Sequence, residues 1–208
     1  GLHPGWDPER IASALVQSAA PAWTDAGRTV PASPTRAGAG ILDVAEAAAP
    51  LLVARPRSVG FGLLDVSAGA VSAERRVELE DGGGGAGAWQ VRVEPPPAAG
   101  VSIAVPREVA VPGTLPVRVT ASPGAAEGER AGTIVLERAD AVRRIPFWLR
   151  VTRPALAAAE AATLPGPGTY AGDTRGRPAL VDAYRYPDVP GLRLPGPEQV
   201  FRVALDRP

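Results

Sequence analysis

Alternation of apolar and polar positions dominates the middle of the chain and is clearest over Gly132–Val151. Thr133, Ile134, Val135 and Leu136 favour an extended backbone, Ala139, Asp140 and Ala141 make a short turn, and Val142, Ile145, Phe147, Leu149 and Val151 resume the apolar run. From Ile145 the period is two, with Ile145, Phe147, Leu149 and Val151 on one face and Arg144, Pro146, Trp148 and Arg150 on the other, as a half-buried strand requires. The stretch predicts a β-hairpin. Burying each of the four apolar side chains is worth about 1.5–3 kcal/mol, so their face needs a covering sheet.

Upstream segments supply one. Strands are predicted over Arg57–Phe61, Arg75–Glu80, Trp89–Val93, Val101–Val105, Glu108–Val111 and Leu115–Thr120. Val77 with Leu79, Trp89 with Val91 and Val93, Val101 with Ile103 and Val105, and Val117 with Val119 each present one apolar face. Strands this short, separated by turn residues, predict a mainly β domain, an antiparallel β-sandwich, over residues 51–153.

Residues 1–50 follow a different period. Asp7 is a helix N-cap, Pro8 suits the first helical position, and Trp6 is placed to staple onto Ile11. Ile11, Ala12, Leu15, Val16 and Ala19 form one helical stripe ending at Pro21. After a loop rich in Pro, Thr and Gly, a shorter helix is expected over about 43–49, capped by Asp43 and stopped by Pro50. Two such helices cannot bury a core of their own, and no parallel α/β strands follow to receive them. They are therefore expected to cover a neighbour outside these residues.

Residues 154–168 have the composition of a linker, with an Ala-rich piece suited to a turn of helix. Residues 169–208 offer strand candidates at Leu180–Tyr186 and Gln199–Leu205, expected to be the start of a further β-region, truncated.

Composition sharpens this picture. The 24 glycines and 24 prolines among 208 residues favour turns and short strands over long helices. A formal net charge of zero, with every basic residue an arginine, argues against a nucleic-acid partner, because no excess of positive charge would neutralise phosphates. The chain has no cysteine, which removes disulfides and thiolate metal sites, and no apolar run long enough to span a bilayer. It has no methionine and opens in a helical context, as an excised segment would.

No catalytic, cofactor-binding or metal-ligating residue is expected. His3, the single histidine, has no hydroxyl or thiol partner nearby and reads as a turn residue before Pro4. The glycines around Gly38 lack a preceding strand and a third glycine, so a tight turn into a helix is expected there and not a dinucleotide loop. Asp81–Gly87 reads as a flexible hairpin loop between two strands; with no lysine and no following helix, phosphate binding is a poor alternative. Asp173, Asp182 and Asp188 are too widely spaced for a dedicated Ca²⁺ site, and one histidine without cysteine makes zinc poorer still. Trp148, on the polar face of its strand, suits an interface or packing against a loop.

The residues also carry a resemblance. His3, Pro4 and Trp6, then Ala14 and Leu15, then Gly38, Gly40 and Asp43, follow the order seen at the C-terminal end of a subtilisin-like serine peptidase (subtilase) catalytic domain, after the helix bearing the nucleophile. Pro56, Ser58, Val59, Phe61 and Gly62, with Glu127, Gly128, Gly132, Ile134, Val135, Ile145, Pro146, Phe147 and Val151, are similar to the fibronectin type III-like domain that follows it in some larger subtilases. The resemblance implies a secreted, extracellular or cell-envelope parent that cleaves peptide bonds by serine attack with histidine as base. The family's Asp, His and Ser motifs would lie before Gly1, so none is carried over, no cofactor is implied, and this chain alone is expected to be inactive. The partners implied are the missing N-terminal catalytic domain and the parent's protein or peptide substrate. The alternative is an extracellular β-sandwich binding or adhesion module without peptidase activity. Removal of residues 1–49 should separate the two: the module should lose stability, whereas the sandwich of a peptidase should change little.

Overall fold

The backbone of residues 3–153, 162–175, 177 and 198–204 is described by a computed structural model. Gly1–Thr152 and Arg153–Pro208 form two separate compact units. The first carries helices α1 (Pro8–Gln17), α2 (Pro34–Ala37) and α3 (Val44–Ala48), then strands β1 (Leu52–Arg55), β2 (Val59–Asp65), β3 (Val71–Asp81), β4 (Gly87–Glu94), β5 (Val101–Ala104), β6 (Glu108–Val111), β7 (Gly113–Ala121), β8 (Gly128–Arg138) and β9 (Ala141–Thr152).

The expected sandwich is present. One sheet runs β1-β3-β7-β5 and the other β2-β9-β8-β4-β6. All pairings in it are antiparallel except β2 with β9, which is parallel. The hairpin at 132–151 extends further than its sequence signal, pairing Gly128↔Val151 through Arg138↔Ala141 around a turn in which Ala139 takes a left-handed φ of 50°. Ile145, Phe147, Leu149 and Val151 are buried, and they pack with Val77 and Leu79 of β3, Leu115, Val117 and Val119 of β7 and the fully buried Trp89 of β4.

The crossover between the sheets departs from expectation. Asp81–Gly87 joins strands of different sheets, so it is not a hairpin loop. Its backbone is held: Asp81 Oδ1 accepts from the amides of Gly83 and Gly85, Arg138 donates to the carbonyls of Gly84 and Ala86, and the Trp89 indole donates to Gly85 at 2.8 Å. A Cβ on Gly85 would run into the Leu51 carbonyl, so this position requires glycine.

β1 has no counterpart among the predicted strands, and it explains where the first helix goes. It is the edge of its sheet, and Leu52, Val53 and Ala54 are all buried. Leu52 and Ala54 belong to the sandwich core, while Val53 faces the opposite way, on the side where α1 packs. The Ser13 hydroxyl accepts from the Ala54 amide at 2.9 Å and donates to the Ala54 carbonyl at 3.0 Å, and the Gln17 side-chain amide donates to the Arg57 carbonyl at 3.1 Å. An edge strand exposes unpaired main-chain groups; α1 covers this one with a small, polar face. Ser13, Ala14 and Gln17 are buried, whereas Ile11 is 45% exposed and Leu15 and Val16 are half-buried. The buried face is thus rotated from the apolar stripe. The helix also stops at Gln17, capped by Ser18, short of Pro21. Ser13→Ala should cost about 1–3 kcal/mol by orphaning both Ala54 groups, a loss read directly by chemical denaturation.

Arg143 ties α3 to β9 in the same way. It shares the inward parity of Ile145 and is 2% exposed. Its guanidinium donates to the carbonyls of Pro50 and Ala49, just after α3, and to Glu46 Oε2 within it.

In the second unit, β10 (Ala162–Thr163) pairs in parallel with β11 (Phe201–Arg202). The Ala-rich piece at 154–161 and the strand candidate Leu180–Tyr186 lie outside the described residues, and β11 falls within the candidate Gln199–Leu205.

Candidate interaction surface

The outer faces of the two sheets differ. On the four-stranded sheet, Glu74, Arg76, Glu78 and Arg118 stand in solvent, with Arg118 paired to Glu74 and Thr114 donating to Glu78. On the five-stranded sheet, Arg144, Trp148 and Arg150 are only half-exposed and Pro146 is buried. The segment between α1 and α3 lies over this face.

That segment is built from local bonds. Ala20 and Ile41 exchange two main-chain hydrogen bonds of 2.8 Å. Ala32 donates to Ala22, and Thr24 donates to Val30. Asp25 accepts from the Thr29 and Val30 amides and the Thr29 hydroxyl, and these bonds hold its carboxyl below the ordinary range, those to Val30 and Thr29 outweighing desolvation. Gly40, at φ 121°, lies so close to the Ala20 carbonyl that no side chain would fit. Ser33 caps the unpredicted α2, Gly38 ends it, and Asp43 caps α3 as expected by accepting from the Glu46 amide.

Two of the clefts between this segment and the sheet bear on Trp148 and Arg144. One, of about 410 Å³, is lined by Val16, Pro34, Gly38, Ser58, Phe147 and Trp148 among others. Trp148 therefore sits beside the helical segment, which corresponds to the loop-packing alternative for it. The other cleft, of about 520 Å³, has Pro21, Trp23, Pro31, Pro95 and Pro96 in its walls and Ala131, Thr133 and Arg144 on the sheet. Desolvation, ahead of repulsion from Arg92, lowers the pKa of Arg144 from the usual arginine value.

Beyond the clefts an apolar stretch faces outward. Ile41, Leu42 and Val44 are 60%, 64% and 67% exposed, and Ile11, Trp23 and Val30 are exposed as well. Consecutive exposed aliphatic residues are unlike the scattered apolar residues of an ordinary surface.

The remaining sequence candidates have structural surroundings. His3 stacks on Trp6 with ring centroids 3.8 Å apart, and its Nε2 lies 2.7 Å from the Ala48 carbonyl. Trp6 packs between His3 and the Arg10 guanidinium, while Ile11, its expected staple partner, is exposed. Asp7 caps α1 through the Arg10 amide, and that bond first, opposed by desolvation and aided by Arg55, holds its carboxyl below the usual range. Asp173 is bound by Arg175; Asp182 and Asp188 lie outside the described residues. Among the described residues no three carboxylate or imidazole groups converge, and no helix is long and apolar enough to cross a membrane. Sequence reasoning missed Ser13, Gln17 and Arg143. The signal for Arg143 was its parity with Ile145; Ser13 and Gln17 carried none.

No family model and no curated protein sequence matches the chain. Solved structures similar to parts of it include a Vibrio cholerae protease, VesB, at 11% identity over 49% of this chain and 31% of that one, with a TM-score of 0.33. Domains 4 and 5 of the S-layer protein SbsC align at 20% identity over 46% of this chain and 48% of that one, TM-score 0.30. A Bacteroides ovatus GH5 xyloglucanase aligns at 15% identity over 54% of this chain and 21% of that one, TM-score 0.31. The chain spans less than half the length of each, and likenesses this slight bear on no functional assignment.

Proposed function

We propose that this chain is a non-catalytic C-terminal segment of a secreted subtilisin-like serine endopeptidase, acting at the cell envelope or outside it. Residues 1–50 would be the last helices of the catalytic domain, and the sandwich over 51–153 its fibronectin type III-like companion, supporting the catalytic domain or positioning protein substrate. The observation that carries this is the exposed run Ile41, Leu42 and Val44 beside a sandwich whose own core is closed. It lies within the stretch whose order of His3, Trp6, Gly38, Gly40 and Asp43 resembles the end of a subtilase domain. A catalytic domain seated there would remove that surface from water, at a gain of about 25 cal/mol per Å².

The 208-residue chain should hydrolyse neither casein nor short peptide substrates. A longer polypeptide from the same reading frame, carrying the residues before Gly1, should hydrolyse casein and be inactivated by a serine-directed sulfonyl fluoride. Turnover by the shorter chain, or an inhibitor-insensitive longer form, would contradict the proposal.

A second function, an extracellular binding or adhesion module, is favoured by the bonding of Ser13 and Gln17 to the sandwich, which makes the helices part of the same compact unit. For such a module the longer polypeptide would show no peptidase activity.

A further inference from the structure

We propose that the cleft between residues 21–40 and strand β8 binds the free C-terminal end of an extended, apolar peptide, with Arg144 taking the terminal carboxylate. Three independent features of the cleft lead there.

The first is an open strand edge. The Val91 amide donates to Arg107, so Val91 faces β6, and the alternating Gln90, Arg92 and Glu94 face β8. Their partners on β8 are Glu137, Val135 and Thr133, and by the same alternation Ala131 faces that side too. β4 ends at Glu94, however, and Pro95, Pro96 and Pro97 have no N–H to continue the ladder. Among the described residues no hydrogen bond reaches the Ala131 main chain from that side. A peptide strand added at Ala131 meets the end of β4 and must stop there, which selects a chain terminus over a segment running through.

The second is charge. Among the described residues the half-buried Arg144 side chain bonds no acid directly; Glu137 attracts it from a distance. The neighbouring acids are taken: Glu94 and Glu137 pair with Arg92, and Glu46 pairs with Arg143. A guanidinium in a cleft with no acid bonded to it suits a carboxylate, which it binds through two parallel hydrogen bonds. The terminus is therefore the C-terminus, and the peptide runs parallel to β8.

The third is the wall. Trp23 and the prolines 21, 31, 95 and 96 make most of the wall apolar, and its one acid, Glu94, is held by Arg92, so the last residues of the peptide are apolar and the carboxylate is their only charge. This site does not depend on whether the chain belongs to a peptidase.

Calorimetric titration of the full 208-residue chain tests it with three probes: acetyl-Ala-Pro-Val-Leu as the free acid, the same peptide as its C-terminal amide, and acetyl-Ala-Pro-Asp-Leu amide. The acid should bind at least about tenfold more tightly than either amide, and the preference should shrink at high salt. Arg144→Gln should abolish it, while Arg144→Lys, which keeps the charge but not the planar fork, should retain part of it. Equal binding of acid and amide, no binding of the acid, equal binding of the aspartate peptide, or a preference that survives in a folded Arg144→Gln variant would each overturn the proposal.

Discussion

Removing residues 1–49 is expected to destabilise the sandwich by at least about 3 kcal/mol, lowering its Tm by about 6–12 °C. The helices do not rest on the sheet as a detachable cover. Ser13 satisfies both main-chain groups of Ala54, α1 buries the outward side of Val53, and Glu46 and Ala49 share the buried Arg143 guanidinium. Salt bridges from Arg55 to Asp7 and Arg57 to Glu9 are largely solvent-exposed and add little, and the one from Arg10 to Glu80 is part-buried. Deletion would leave an open edge strand with a bare apolar residue, which is also a template for aggregation. The contacts of β1, whose edge the sequence pattern did not reveal, argue against the expectation that a peptidase sandwich would be little changed by this deletion, so a loss of stability does not by itself separate a peptidase from a binding module. Differential scanning calorimetry of the truncated and full chains measures the loss; an unchanged Tm would mean that α1 contributes nothing to β1.

The second large effect is expected at Trp89. It is fully buried in the sandwich core, its indole donates to the Gly85 carbonyl, and the Arg138 guanidinium lies 5.5 Å from its ring centroid. It therefore joins the core to the crossover between the two sheets. Trp89→Ala should cost about 3–5 kcal/mol through the cavity and the lost transfer energy. Trp89→Phe, which keeps most of the volume but not the donor, should cost less, with about 0.5–1.5 kcal/mol of that from the missing hydrogen bond. Denaturant titration separates the two, and equal losses would mean that the hydrogen bond, and not the packing, dominates. For a protein of ordinary stability, about 3–5 kcal/mol is a large fraction of the whole.

What the sequence disclosed and what it hid follow from the range of the forces concerned. The hairpin of β8 and β9 was legible because turn residues lie between two runs of matching period, and the pairing partners are neighbours in the chain. The strands around Val77, Ile103 and Val117 were legible for the same periodic reason, and so were the caps Asp7 and Asp43, whose bonds close over three residues. β1 was not, because Leu52, Val53 and Ala54 are buried on both faces and show no alternation. The rotated face of α1 was not, because its docking is governed by the unpaired groups of Ala54, 41 positions from Ser13. The parallel partnership of β2 with β9 and the crossover at Asp81–Gly87 are likewise long-range choices. The clefts were invisible for a related reason: proline in a loop reads as a turn signal, and only the fold places Pro21, Pro31 and Pro95 around Arg144.

The outward-facing residues 41–44 carry the central claim, that this chain presents a surface shaped for a neighbouring domain. Amide hydrogen exchange at Ile41, Leu42 and Val44 tests it most directly, measured in the 208-residue chain and in the N-terminally extended polypeptide that the proposal requires. The account predicts at least about tenfold slower exchange at these amides in the longer form, equivalent to about 1.4 kcal/mol of added protection, while Val77 and Leu149 in the core stay unchanged. Equal exchange in the two forms would contradict it.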